Sequence, residues 1–254
     1  GLYLSIGQVY AQELGRTDKA EQMYNAALDF DPGSQDAIPS LGALYEKSGN
    51  CFNALEKLQA EAQLLGASQE AVEIYHRIGN INEQMLLDVG NAVLAYKAAL
   101  DIEPSHVPSV QALKNIALQK NDNTDYLHWL REEAKYTEDE EKRTEIHTTT
   151  GLFLQDTLAD LEGASEELEK ALALTFDHLA AAKPLADIAF RDENWQRAEQ
   201  LLDSAIERLD PNTEGQDLCR QHHRLGYVCE KLSKYAKALK SYQRAYEIDA
   251  TYLP

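Results

Sequence analysis

The side chains best equipped for covalent or metal chemistry are three cysteines, Cys51, Cys219 and Cys229, and the adjacent His222 and His223. On a helix the two histidines share a face with Cys219, at spacings of three and four, but this presents two metal ligands where a structural zinc site needs four. The cysteines are odd in number, widely spaced and without a CxxC pair, so they read as small buried hydrophobes in a reducing compartment and not as a disulfide framework. The run Asp29, Phe30, Asp31, Pro32, Gly33 has the look of a calcium loop. It lacks a third acidic ligand before the glycine and the glutamate that closes such a site, and it reads as a helix-ending turn. Asn121 to Asp125 offers amides and carboxylates without a coordinating frame and reads as a turn between helices. Trp129 and Trp195 lie beside apolar stripes and are expected in packing. No P-loop, dinucleotide fingerprint, HExxH or GxSxG is present, so the sequence points to no catalytic residue, no cofactor and no metal.

What remains is recognition by charge and surface. The chain carries 24 Lys and Arg against 43 Asp and Glu, a formal net charge of −19. Binding to a nucleic-acid backbone depends on neutralising phosphates with basic side chains, so general nucleic-acid binding is disfavoured. The charge is uneven, however. From Cys219 onward Arg220, Arg224, Lys231, Lys234, Lys237, Lys240 and Arg244 outnumber Glu230, Glu247 and Asp249, and the acidic excess lies entirely before them. Such polarity would steer an acidic peptide to the C-terminal part or favour end-to-end self-association, both effects weakening with salt. With 44% apolar and 26% charged residues the chain can build a core. No stretch reaches the roughly 18 apolar residues of a membrane span. Gly1 leads into an amphipathic helix without a signal-peptide pattern, which, with the cysteine usage, sets a cytoplasmic expectation.

The elements that position these groups recur. A small residue, usually preceded by Leu or Ile, stands at Gly7, Gly42, Gly79, Gly151, Ala186 and Gly226, with Lys114 in a degenerate fourth copy. About a dozen residues later comes Ala20, Ala54, Ala92, Ala164, Ala198 or Ala238, replaced by Tyr126 in the fourth. Four residues further on stands Tyr24, Leu58, Tyr96, Leu130, Leu168, Leu202 or Tyr242; seven further on stands Ala27, Ala99, Ala171, Ala205 or Ala245, with Glu61 and Glu133 as departures. Offsets of four and seven mark one helical face. Two short antiparallel helices crossing closely need small residues at the crossing and large ones beside it. Pro32, Pro104 and Pro211 follow second helices, and Gly15, Gly49 and Gly163 sit near the turns within pairs. A longer period overlies the first: Gly7, Gly79 and Gly151 are 72 residues apart. Odd copies insert one residue between the anchor and the alanine, predicting a longer first helix or turn.

This pattern resembles the tetratricopeptide repeat, a helix-turn-helix unit of about 34 residues. The second copy (Ile38, Leu41, Gly42, Tyr45, Gly49, Ala54, Leu58) and the seventh (Leu225, Gly226, Tyr235, Ala238, Tyr242, Ala245) carry it most clearly. The resemblance implies an all-α fold, an α-solenoid of about seven stacked antiparallel helix pairs forming a superhelix, similar to long bacterial arrays. It implies one array over 1–254 with repeats near 1–34, 35–69, 70–106, 107–140, 141–178, 179–212 and 213–250. Residues 251–254 would open an eighth pair, which makes the chain a slice of a longer array. It further implies that first helices line a concave face. Exposed groups there would be His76, Arg77, Asn80 and Gln84 in the third repeat, Lys183, Asp187 and Arg191 in the sixth, and Arg220, His223, Arg224, Tyr227 and Lys231 in the seventh. Lys183, Arg191, Arg220, His223, Arg224, Tyr227 and Lys231 are the expected partner-binding residues. The carboxylate clamp of chaperone-binding relatives is absent: His76 stands where it needs Lys, Asn80 fits, and Ala112, Glu145 and Thr149 do not.

The expected function is a non-enzymatic scaffold that holds a peptide or helix of a partner protein, acidic by charge, in the groove or on the array edges. The alternative is a regulatory or substrate-selecting arm of an enzyme whose catalytic domain lies outside this sequence. RNA binding by a related helical repeat would need basic grooves throughout. The acidity of the first six repeats argues against it.

Overall fold

The computed structural model describes residues 1–210 and 214–252. Among these the chain is helical, with no strand, and forms seven antiparallel helix pairs of the α-solenoid type. The pairs are α1 (Leu2–Gln8, continued by a π-helical turn, Val9–Glu13) with α2 (Thr17–Phe30); α3 (Ala37–Ser48) with α4 (Cys51–Leu65); α5 (Gln69–Asn80, continued by a π-helical turn, Ile81–Met85) with α6 (Val89–Ile102); and α7 (Val107–Gln119) with α8 (Asn123–Tyr136). They continue with α9 (Glu140–Asp156) and α10 (Leu161–Leu174), α11 (Leu179–Arg191) and α12 (Trp195–Arg208), and α13 (Gly215–Lys231) and α14 (Tyr235–Ile248). The chain forms two compact units, Gly1–Glu132 and Glu133–Pro254. Pro211, expected to follow α12, and Leu253 and Pro254 of the expected eighth pair lie outside the described residues.

In the first unit one cluster joins Ala20, Tyr24, Leu41, Leu44, Tyr45 and Ala54, another Leu58, Ala62, Ile74, Ile78 and Ala95, and a third Ala92, Tyr96, Leu113 and Ile116. In the second unit the same repeat positions are buried in each pair, through Ala164, Leu168 and Ala171, Ala198, Leu202 and Ala205, and Ala238 and Ala245. Helix starts are held by short polar caps. Asp88, Asp160 and Asn194 accept the backbone N–H three residues on, at 3.0, 3.0 and 3.3 Å. Gly163, placed near a turn by sequence, lies inside the first turn of α10 as the donor to Asp160.

The inserted residue of the odd copies has a structural home. In the second, fourth and sixth pairs the N–H of Asn50, Asp122 and Asn194 reaches a carbonyl five residues back, on Tyr45, Ala117 and Ala189. In the first, third and fifth pairs Arg16, Asp88 and Asp160 reach six residues back, to Tyr10, Asn82 and Leu154. The longer closure absorbs the extra residue, as a π-helical turn in the first and third pairs. The seventh pair departs from the odd pattern: Lys234 bonds Cys229, five residues back.

The residue before each of these closing N–H groups is left-handed in all seven pairs, at Gly15, Gly49, Leu87, Asn121, Ala159, Glu193 and Ser233, with φ between +53° and +75°. Glycine adopts this conformation without steric cost, whereas leucine at Leu87 pays about 1–2 kcal/mol. Leu87 is 78% exposed, so its side chain contributes little burial. Leu87→Gly is expected to raise stability by about 0.5–1 kcal/mol after the added unfolded-state entropy of glycine. A lower thermal midpoint than wild type would sink this assignment.

Candidate protein-interaction surface

In the second unit the candidate residues come from two first helices, α11 and α13, joined by the first residue of α12. Phe190, Trp195 and Tyr227 form an aromatic cluster: Phe190 lies 5.5 Å from Tyr227 and 5.6 Å from Trp195 between ring centroids, and Trp195 lies 6.0 Å from Tyr227. Two of these rings carry cations. Arg224 sits over Phe190 at 5.0 Å and Lys231 over Tyr227 at 5.0 Å. The spacing follows from helix geometry, since Arg224, Tyr227 and Lys231 recur at three and four residues along one face of α13. Trp195 is thus packed, as expected, but at the half-exposed edge of this cluster.

The structure divides the basic candidates into bound and open. Arg224 is paired with Asp187 and only 18% exposed, and Lys183 is paired with Asp217, with Glu214 4.0 Å away. Asp217 is a carboxylate whose pKa burial would raise, but the hydrogen bonds from Lys183 and Gln221 hold it below the usual range. Arg191, Arg220 and Lys231 are exposed. Tyr227 is 36% exposed. His223 lies apart from the aromatic cluster, 5.5 Å from the Tyr242 ring and 5.7 Å from the Tyr252 ring.

The basic character of the seventh repeat is largely spent inside the fold. Lys234 donates to Glu199 at 2.6 Å, and Lys237 to Glu199 at 2.8 Å and Asp203 at 2.5 Å, tying α14 to α12. Arg244 pairs with Glu247 on its own helix at 2.7 Å. Among the described residues this leaves Arg220, Lys231 and Lys240 as basic groups of that segment without an ion pair. Sequence reasoning saw the charge excess; it had no signal for the acids of α12 that meet it, because contact between successive second helices depends on tertiary register.

The third-repeat candidates are not free groove positions. Arg77 donates to Glu46 at 2.7 Å, Asn80 Oδ1 lies 2.8 Å from the Tyr96 hydroxyl, and His76 lies 3.1 Å from the Ser109 hydroxyl. Of that set Gln84 is exposed. Cys219 and Cys229 are buried and their thiols are pushed up by burial, which keeps them protonated and unreactive. No group of three metal-ligating side chains occurs among the described residues, and none of the described helices is long and apolar enough to cross a membrane.

A family model described as the tetratricopeptide repeat matches residues 177–251, and a second of the same description matches residues 1–34. Among curated proteins, Protein O-mannosyl-transferase TMTC1 of Homo sapiens is 31% identical over 105 residues, which is 41% of this chain and 12% of that protein's length. Among solved structures, a chain of the Naa15/Naa10 complex bound to HypK-THB matches with a TM-score of 0.56 and 17% identity, over 98% of this chain and 36% of that one. The C-terminal part of a TPR repeat-containing protein from Cytophaga hutchinsonii matches with a TM-score of 0.49 and 14% identity, over 98% of this chain and 96% of that one.

Proposed function

Since the chain is a tetratricopeptide-repeat protein, we propose that it is a non-enzymatic scaffold that binds a peptide or helix of a partner protein on the α11–α13 face. The observation that carries this is the half-exposed cluster of Phe190, Trp195 and Tyr227, with Lys231 over the Tyr227 ring and with Arg191 and Arg220 exposed on the same two first helices. Aromatic side chains supply large contact area, and neighbouring cations favour acidic ligands. A segment carrying an apolar or aromatic residue next to carboxylates fits this chemistry. Arg224 and Lys183 hold the face in shape through Asp187 and Asp217 and are not its free charges.

Tyr227→Ala and Arg220→Glu are each expected to weaken capture of such a peptide at least tenfold, and salt should weaken wild-type binding. Lys240→Glu serves as the control on a different helix. Unchanged affinity in both groove variants, read by fluorescence anisotropy with labelled acidic-aromatic peptides, rejects the assignment. Arg224→Glu is a poorer test, because it sets two carboxylates against each other at Asp187.

A second reading, an arm of a larger enzyme, has one observation behind it: the 105 residues matched in TMTC1 belong to a protein named as a transferase. The readings separate on the full-length protein. An activity whose KM rises with kcat unchanged in Tyr227→Ala would favour the arm.

A further inference from the structure

In the first unit a polar cluster joins α5 to the start of α7. The Ser109 hydroxyl, fully buried, lies 2.8 Å from His106 Nδ1 and 3.1 Å from His76 Nδ1. His106 Nε2 lies 3.3 Å from Glu73 Oε1, and the two imidazoles meet edge to face with centroids 5.2 Å apart. His106 is 8% exposed. The other groups facing His76 are the Tyr96 ring of α6, 5.3 Å away, and Glu83 in the π-helical turn, which accepts from the Tyr96 hydroxyl. On the other side of α5, Glu46 of α3 and Glu61 of α4 act on Arg77.

A hydroxyl has one hydrogen to donate, and this sets the proton count of the cluster. With both rings neutral, His106 gives its Nε2 proton to Glu73, Ser109 donates to His106 Nδ1, and His76 Nδ1–H donates to Ser109. Each of these contacts then has one donor and one acceptor. A first proton is absorbed whichever ring takes it, because Ser109 can accept from the protonated ring and donate to the other. A second proton leaves Ser109 between two N–H donors with its own hydrogen facing neither ring as acceptor, and sets two cations side by side in a buried site.

We propose that Glu73, His76, His106 and Ser109 form a proton-operated joint between the third and fourth helix pairs, closed at neutral pH and loosened by acid. Burial and the neighbouring His106 push His76 below the ordinary histidine value of 6.5, against the pull of Glu73 and Glu83. A histidine depressed in the fold favours the unfolded or opened state as pH falls from 6.5, because that state takes the proton first.

The test is hydrogen exchange on the full chain at pH 7.5 and 5.5, corrected for intrinsic rates. Opening of α5 and α7 should rise several-fold, up to about tenfold for one excluded proton, while α3 and α4, which contain no histidine, should hold. In His76→Asn/His106→Asn, which keeps polar groups near the Nδ1 positions without titrating, that rise should vanish. An equal rise in the double variant overturns the joint. Should the variant fail to fold, the wild-type His76 titration decides by NMR: a midpoint below 6.5 supports the joint, and one at or above 6.5 overturns it.

Discussion

Gly79→Ala is expected to destabilise the protein by about 2 kcal/mol, and Gly42→Ala to stabilise it by up to about 1 kcal/mol, although both add one methyl at the same repeat position. Alanine is better than glycine inside a helix by about 1 kcal/mol, and that gain applies at both sites. The difference is what the methyl meets. At Gly42 the nearest heavy atom would be Lys57 Cβ at 3.5 Å, an ordinary contact. At Gly79 the new Cβ would lie 2.6 Å from Tyr96 Cδ1 and 2.7 Å from Cζ. The ring has no room to retreat: Tyr96 is fully buried, and its hydroxyl is held by Asn80 at 2.8 Å and Glu83 at 2.7 Å. Overpacking of this kind costs about 1–3 kcal/mol, and a ring held in place puts Gly79 at the upper end, which leaves about 2 kcal/mol after the helix-propensity gain. Urea unfolding of the two variants should move the midpoint in opposite directions, and a shift of the same sign in both would refute the packing argument.

That pair of glycines also shows how far the sequence carried. Anchor, alanine and large apolar residue repeat at fixed offsets, so seven helix pairs and the burial of Ala20, Ala54, Ala92, Ala164 and Ala198, all 0% exposed, were legible from periodicity. The extra residue of odd copies was legible as a length; its form, a six-residue closure, was not, since backbone hydrogen-bond register leaves no side-chain signature. Leu87, Ala159 and Glu193 held left-handed turns without the glycine that would have announced them. The candidate surface was half legible. Tyr227 and Lys231 were visible as one helical face, but Phe190 joins them only because α11 packs beside α13, and sequence spacing across 37 positions says nothing of that contact. Arg224 and Lys183 looked free because their partners, Asp187 and Asp217, lie on the adjacent first helix.

The same blindness to contacts between helices hid a buried, hydrogen-bonded carboxylate in the second unit, and its removal should have the larger effect on stability. Glu167 on α10 is 3% exposed and accepts from His147 of α9 at 2.8 Å and from Lys170 at 3.0 Å. Burial alone would raise its pKa. The hydrogen bonds from His147 and Lys170 prevail and hold the carboxyl down to about 2. A carboxyl depressed in the fold contributes stability that is fully present above its ordinary value of 4.5 and is lost as pH falls through the folded value of about 2. Glu167→Ala should therefore cost about 3 kcal/mol at pH 7, the scale for removing one partner of a buried pair, because His147 loses its acceptor and a cavity opens. Glu167→Leu, which restores the volume, should recover part of this. The decisive measurement is the stability gap between wild type and Glu167→Leu at pH 7, 4.5 and 3. The gap should narrow by only about 0.4 kcal/mol between the first two and by much more at the third, as the wild type loses the contribution that the variant never had. A gap that stays constant to pH 3 would mean that Glu167 acts through its volume alone and that the hydrogen-bonded charge contributes nothing.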